Sequence, residues 1–268
     1  MATTAQQQQQ NPQPQAAKKP ADKSPIISLF EKMLTIINSG AGRDKTCRVL
    51  QYAIMALLPT LKARGAHFNE LSDRLNKLKG SMSATRKVLR FGKEIPLLTN
   101  IRNNLAKHEV SPVRMILYKV LNDIALALYF FTDHPLYFNN VGFWKYSPTF
   151  IKKCDYINNI FWLLNCIFDI VVTVEEINYQ RKQMRKVANQ LSGDKSPADD
   201  AMKQQLRQQL RELRILVTKA WLNLFRNLFD LPAIFYFLNS PRISQTQAGI
   251  CGTITSCISL YGMWGTWQ

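Results

Sequence analysis

The sequence predicts an all-α integral membrane protein, with amphipathic helices at the bilayer interface and a Gly- and Ser-rich transmembrane helix at its C-terminal end. Three observations carry that expectation. Apolar residues recur at steps of three and four along most of the chain, and almost nowhere alternate as a half-buried strand would. Two inner segments, 113–131 and 156–174, are long apolar runs broken by only a few polar side chains. The last twenty-six residues, 243–268, hold no charge in a chain that carries 35 Lys and Arg.

Residues 1–24 are Gln, Pro, Ala and Lys in low-complexity order, too polar to build a core, and read as a disordered leader. Residues 25–110 read as a basic amphipathic helical region. Ser24-Pro25 supplies an N-cap and a first-turn proline for a helix carrying Ile26, Ile27, Phe30, Met33, Leu34 and Ile37, which Gly40 and Gly42 are expected to stop. A second helix follows from about residue 43 to 64, apolar at Val49, Leu50, Ile54, Leu57, Leu58 and Leu61, with a kink expected at Pro59.

The third segment has the most regular pattern. Phe68, Leu71, Leu75, Leu78, Met82, Thr85 and Leu89 recur at helical steps, with Lys79, Arg86 and Lys93 seven apart beside them and Arg74 on the other flank. Such a stripe suits a helix lying in a membrane interface, its cations reaching phosphates. It suits equally a bundle seam with solvated charges beside it.

Residues 111–180 read as an apolar helical pair. Lys119, Asn122 and Asp123 interrupt one member; Asn158, Asn159, Asn165 and Asp169 interrupt the other, so neither is a clean lipid-exposed span. The joining FTDHPLYFNNVGFWKYSP reads as a turn-rich aromatic loop. Residues 181–205, with GDKSPADD, read as a polar linker. Residues 206–268 then give a long helix, apolar at Leu206, Leu210, Leu213, Val217, Leu224, Leu228 and Leu231, expected to end before Pro232. The terminal span closes the chain. Tyr261, Trp264 and Trp267 sit at its far end, where aromatic residues favour the interface. Ala248, Gly252 and Ser256 form a small-residue face that would let another helix approach closely.

The net charge of +17 favours anionic partners. It is uneven, with 18 basic and 7 acidic residues in 1–110 against 17 and 11 in the remainder. No nucleic-acid motif accompanies it, so an acidic membrane surface is the expected partner and nucleic acid is not. A mean hydropathy of −0.16 allows one or two membrane segments and excludes a polytopic transporter. Five scattered cysteines without a CxxC pair suit a reducing compartment, and the N-terminus carries no secretory signal pattern. Arg242 precedes the terminal span and no charge follows it, which would keep the bulk of the chain cytosolic.

Nothing in the sequence points to catalysis, a metal or a cofactor. His67, His108 and His134 are isolated, and Glu175-Glu176 point different ways on a helix. SGAGRDKT ends like a phosphate-binding loop, yet Asp44 stands where that loop needs glycine, and a helix rather than a strand precedes it.

Gly42-Arg43-Asp44-Lys45 resembles the opening signature of the peroxin-eleven family of peroxisomal membrane proteins. So does the basic run Arg86-Lys87-Val88-Leu89-Arg90-Phe91-Gly92-Lys93. The aromatic stretch before Asp133, Trp162 in an apolar helix, and the Gly- and Ser-rich 249–264 follow in the family's order, so the resemblance covers about residues 28–264. Lys219, Asn223, Asn227 and Asp230 follow its later pattern only loosely.

The resemblance implies a peroxisomal (or glycosomal) membrane protein that elongates the membrane before fission. It implies that Phe68, Leu71, Leu75, Leu78, Met82 and Leu89 insert into one leaflet while Arg74, Lys79, Arg86, Arg90 and Lys93 hold headgroups. It also implies homo-oligomers, helped by the small-residue helix, and fission partners of the dynamin-type GTPase and tail-anchored adaptor kinds. The alternative is a metabolite pore, with Asp123, Asn165 and Asp169 lining a path between helices.

Overall fold

A computed structural model of the chain describes residues 25–106, 113–193 and 200–264, and all the secondary structure among them is helical. The helices are α1 (Pro25–Asn38), α2 (Gly40–Ala63), α3 (Asn69–Val88), α4 (Glu94–Leu105), α5 (Val113–Asn140), α6 (Pro148–Gly193), α7 (Asp200–Phe237) and α8 (Gln245–Met263), with one 3₁₀ turn at Ala66–Phe68. The expected leader, the middle of the expected linker and Trp267 lie outside the described residues.

Glycine and proline punctuate this chain less than their propensities suggest. A single residue, Ser39, separates α1 from α2, and its Oγ caps α2 by accepting from the Gly42 N–H at 2.9 Å. Gly40 and Gly42 therefore start a helix instead of stopping one. Gly42 is required there, because a Cβ would stand 1.9 Å from the Ile36 carbonyl oxygen. Pro59, Pro135 and Pro232 all lie inside helices. Residues after the second and third of these are deeply packed, Leu136 on α5 and Ala233 and Ile234 on α7. Their burial carries the helix past a missing N–H, as neighbours do for prolines in membrane helices. The aromatic loop expected after residue 131 is consequently helical to Asn140, leaving only residues 141–147 as a connection.

The expected linker is a correction of the same kind. Residues 181–193 extend α6 and 200–205 begin α7, because Gln, Lys, Arg, Ala and Leu are good helix formers even where no core covers them. The two helices are antiparallel: Ile177 packs on Ala220 and Leu224, and the Arg181 guanidinium lies 5.4 Å from the Trp221 ring. At 46 residues, α6 is about 69 Å long, roughly twice the hydrocarbon thickness.

Packing runs in a ring, α2 to α8 to α7 to α6 to α5, and α3 closes it by touching both α2 and α5. α4 buttresses α5, and α1 rests lightly on α2. The ring is polar inside and apolar outside. Asp44, Arg48, Arg86, Arg90, Asp133 and Asp230 are buried, whereas Leu117, Leu128, Leu164, Ile167, Leu228 and Ile254 face outward. A water-soluble bundle has the opposite arrangement.

Two helices, α5 and α6, are long and apolar enough to cross a membrane. α8 is free of charge, but its threonines, serines and glycines dilute its apolarity, and its small face is spent on α2. Removing residues 243–268 is therefore expected to leave most of the chain in the membrane pellet after alkaline carbonate extraction. Release of the truncated chain would make α8 the main anchor.

Candidate functional site

The apolar stripe and the cations beside it part company in the structure. α3 packs on α2 through the face carrying Ser72 and Arg86, which lies along one flank of the stripe. Leu71 and Leu78 consequently stay 44% and 43% exposed. Phe68, Leu75, Met82 and Leu89 are half-buried. Neither simple reading of the pattern holds alone: the cation face became the seam, and part of the apolar stripe was left uncovered.

Arg86 and Arg90 therefore do not reach outward to headgroups. Their side chains are only 9% and 7% exposed, and each is held by a carboxylate. Arg86 Nε donates to Asp44 Oδ1 at 3.2 Å, and its NH1 to Gln51 Oε1 at 2.6 Å. Arg90 pairs through NH1 with Asp133 at 2.9 Å and donates to the Tyr129 hydroxyl at 2.7 Å; its Nε lies 3.8 Å from Asp44. In an apolar helix bundle a bare guanidinium is costly, so these cations turn inward to carboxylates. Of the five expected headgroup residues, Arg74 is exposed, and Lys79 and Lys93 are half-buried.

The small-residue face of α8 is likewise engaged within the chain. Ala248, Gly252 and Ser256 are buried against α2, with Gly249 beside them, so the helix that approaches closely is α2 and not α8 of a second copy. Gln245 secures the same contact by donating to the Met55 carbonyl at 3.1 Å.

The family model described as Peroxisomal biogenesis factor 11 (PEX11) matches residues 30–264. The chain belongs to the PEX11 family. Peroxisomal membrane protein PMP30B of Candida boidinii is 25% identical over 249 residues, covering 90% of this chain and 94% of that one. Peroxisomal membrane protein 11 homolog of Dictyostelium discoideum is 23% identical over 258 residues, 88% and 94% of the two chains. Peroxisomal membrane protein 11-1 of Oryza sativa subsp. japonica is 25% identical over 231 residues, 84% and 87%. No solved structure matches.

The residues that resemble the PEX11 opening signature have separate places. Gly42 makes the α1–α2 corner, Arg43 is exposed, Asp44 receives Arg86 of α3 and Arg90 just after it, and Lys45 borders a cavity inside the ring. Burial pushes the Asp44 carboxyl up, but Arg86, Lys45, Arg90 and Lys93 outweigh it and hold the group down at about 2. Burial and the neighbouring Arg48 pull the Lys45 ammonium down to about 7.

Four further pairs join elements far apart in sequence. Arg48 on α2 pairs with Asp230 on α7 at 2.6 Å, Arg226 with Asp169 at 3.1 Å, and Asn223 and Asn227 donate to the same Asp169 oxygen. The sequence offered one signal for them: a carboxylate within an apolar helix needs a partner on its neighbour.

Asp123, Asn165 and Asp169 are each tied to a neighbouring helix. Asp123 accepts from Asn104 of α4, Asn165 donates to Asn122 of α5, and Asp169 is taken by α7. Helix–helix hydrogen bonding accounts for all three.

Proposed function

We propose that this PEX11-family protein resides in the peroxisomal membrane, the bulk of it on the cytosolic side, and inserts apolar helix faces into one leaflet to curve and elongate the membrane before fission. One observation carries the reading: α3 keeps Leu71 and Leu78 exposed although the helix is packed into the ring by its polar face. Amphipathic α1 adds a second uncovered surface, with Ile26, Phe30, Met33, Leu34 and Ile37 exposed and only Ile36 buried among its apolar residues. An apolar face at the headgroup boundary expands one leaflet, and that asymmetry bends the sheet. Arg74, Lys79 and Lys93 are the cations of the expected set left to meet anionic headgroups; Arg86 and Arg90 hold the helix in place. Self-association is part of this reading through a surface other than the α8 small-residue face. Partners of the dynamin-type GTPase and tail-anchored adaptor kinds come with the resemblance.

The test is tubulation of vesicles rich in anionic phospholipid by the reconstituted full chain. Leu71→Glu with Leu78→Glu is expected to abolish tubules while leaving the thermal midpoint close to that of the unaltered chain, because both side chains are exposed. Arg74→Gln should weaken binding to acidic vesicles only. Tubules formed undiminished by the double glutamate variant would end the proposal.

A further inference from the structure

The ring of helices encloses a cavity of about 200 Å³. Six cations line it: Lys45 and Arg48 from α2, Arg86 at the end of α3, Arg90 and Lys93 just after it, and Arg226 from α7. Only two carboxylates, Asp44 and Asp230, share that lining. Even when Asp133 and Asp169 are added as partners of Arg90 and Arg226, cations remain in excess, by two when Lys45 is protonated. In a surface groove such an excess is solvated. Inside a bundle with apolar outer faces it is a standing cost unless something anionic offsets it.

A second observation marks where the missing anion belongs. Arg48 is 5% exposed, and although its NH2 pairs with Asp230, its Nε is buried without a hydrogen-bond partner among the described residues. Aromatic rings hold the guanidinium planes: Arg48 lies 5.6 Å from the Trp162 ring and Arg90 lies 5.3 Å from the Tyr129 ring. Fixed guanidinium forks with spare donors match the tetrahedral oxygens of phosphate better than a single carboxylate could. The size agrees, since pockets for drug-sized ligands run to about 300–1,000 Å³ and this one is smaller. Access is on the side of Ala41, the one exposed residue of the lining, with Lys45, Lys93 and Arg226 half-buried in it. Lys45 and Arg226 also border an adjoining recess with Lys219, which extends the basic character outward.

We propose that this cavity is a binding site for a phosphate-bearing anion, either the headgroup of an acidic phospholipid or a small soluble phosphate. The site lies apart from the outward apolar faces of α1 and α3 and does not depend on their insertion; Lys93 is the cation it shares with the headgroup set proposed for α3. Lys45 and Lys93 are the gatekeeping cations. Lys45 lies 3.6 Å from Asp44, and Lys93 feels the same carboxylate, which Arg86 and Arg90 already occupy.

The experiment uses the full chain in nanodiscs of phosphatidylcholine alone. Inorganic phosphate is titrated against potassium chloride of matched ionic strength, and the thermal midpoint is read. In parallel, chain purified in mild detergent from cells is analysed by mass spectrometry for retained phospholipid. A midpoint that rises with phosphate and not with chloride supports the site, as does one acidic phospholipid retained per chain. Retained lipid displaced by phosphate identifies a headgroup as the occupant, and phosphate binding without retained lipid identifies a soluble phosphate.

Lys45→Gln with Lys93→Gln should weaken either form of binding about tenfold or more. Lys45→Arg with Lys93→Arg, which keeps the charge, should restore it, so a folding defect cannot imitate the result. The proposal is overturned if neither phosphate nor lipid binds the unaltered chain. It is equally overturned if the glutamine variant binds as the unaltered chain does, or if the arginine variant loses binding.

Discussion

Replacing Asp44 with Ala is expected to cost about 3–5 kcal/mol, the usual loss when one member of a buried ion pair is removed. Asp44 is 3% exposed and is the only carboxylate among the described residues paired with Arg86, which without it keeps Gln51 among them as a side-chain partner. Arg90 retains Asp133, so the damage centres on the α2–α3 seam. The thermal midpoint in detergent should fall on the order of 10 °C, and proteolytic cleavage should appear first around residues 64–68, where α3 leaves α2. Adding Arg86→Met to Asp44→Leu should recover part of the loss, since a well-packed apolar pair replaces a buried ion pair at little cost. A double variant whose loss equals the sum of the single losses would show that the pair is not coupled. The sign with pH follows from the depressed carboxyl. Its stabilisation is complete above the ordinary value of 3.8 and is lost as pH falls through about 2, a loss the Asp44→Ala chain no longer shows. By contrast the exposed Arg74–Glu70 pair, one turn apart on α3, should be removable without measurable effect.

Helical periodicity placed every long helix in the right part of the chain, and the bounds of α3 fall within a residue of its apolar stripe. The misreadings have one physical origin. Pro135 and Pro232, the glycines at 40 and 42, and the polar run after residue 180 were weighed as isolated peptides would weigh them. Tertiary partners overrule that weighting: Asp133 and Leu136 are buried on either side of Pro135, and Ala233 and Ile234 follow Pro232 with no exposure at all. The orientation of α3 was not legible for a different reason. A stripe of Leu and Met with cations at its border fixes the helix, but which of its faces meets the bundle depends on carboxylates supplied by α2 and α5. Asp44 was visible as part of a signature; that Asp133, 89 positions away, completes the same cluster is a property of the fold alone. The family resemblance was recoverable from the order of short motifs, whereas the direction in which its arginines point was not.

Gly249→Ala should be among the most damaging single-methyl changes in the described residues, and the reason is visible in what that methyl would meet. A Cβ at Gly249 would stand 2.4 Å from the Ala56 backbone nitrogen and 2.7 Å from its Cα, and backbone cannot rotate away as a side chain can. The neighbouring Gly252 would drive a Cβ to 2.2 Å from the ring of Tyr52, which is buried beside Met55, Ala233 and Ala248. α8 would have to lift from α2, opening the contact with Gln245 and Ala248 along with it. Overpacking of this kind costs about 1–3 kcal/mol and more where the backbone itself must move. The midpoint of the full chain in detergent is therefore expected to drop by several degrees, roughly 2–4 °C per kcal/mol for a chain of this size. Gly262, on the same helix, has nothing within 4 Å of its Cβ position, so Gly262→Ala should be neutral or slightly stabilising through helix propensity. The pair of variants separates packing from propensity, because both make the same chemical change in one helix. Since the contact lies within one chain, the Gly249→Ala loss should not vary with the ratio of protein to detergent. A loss that grows on dilution would place the small-residue face between two copies instead, and a Gly249→Ala chain as stable as the parent would remove the close α2–α8 approach altogether.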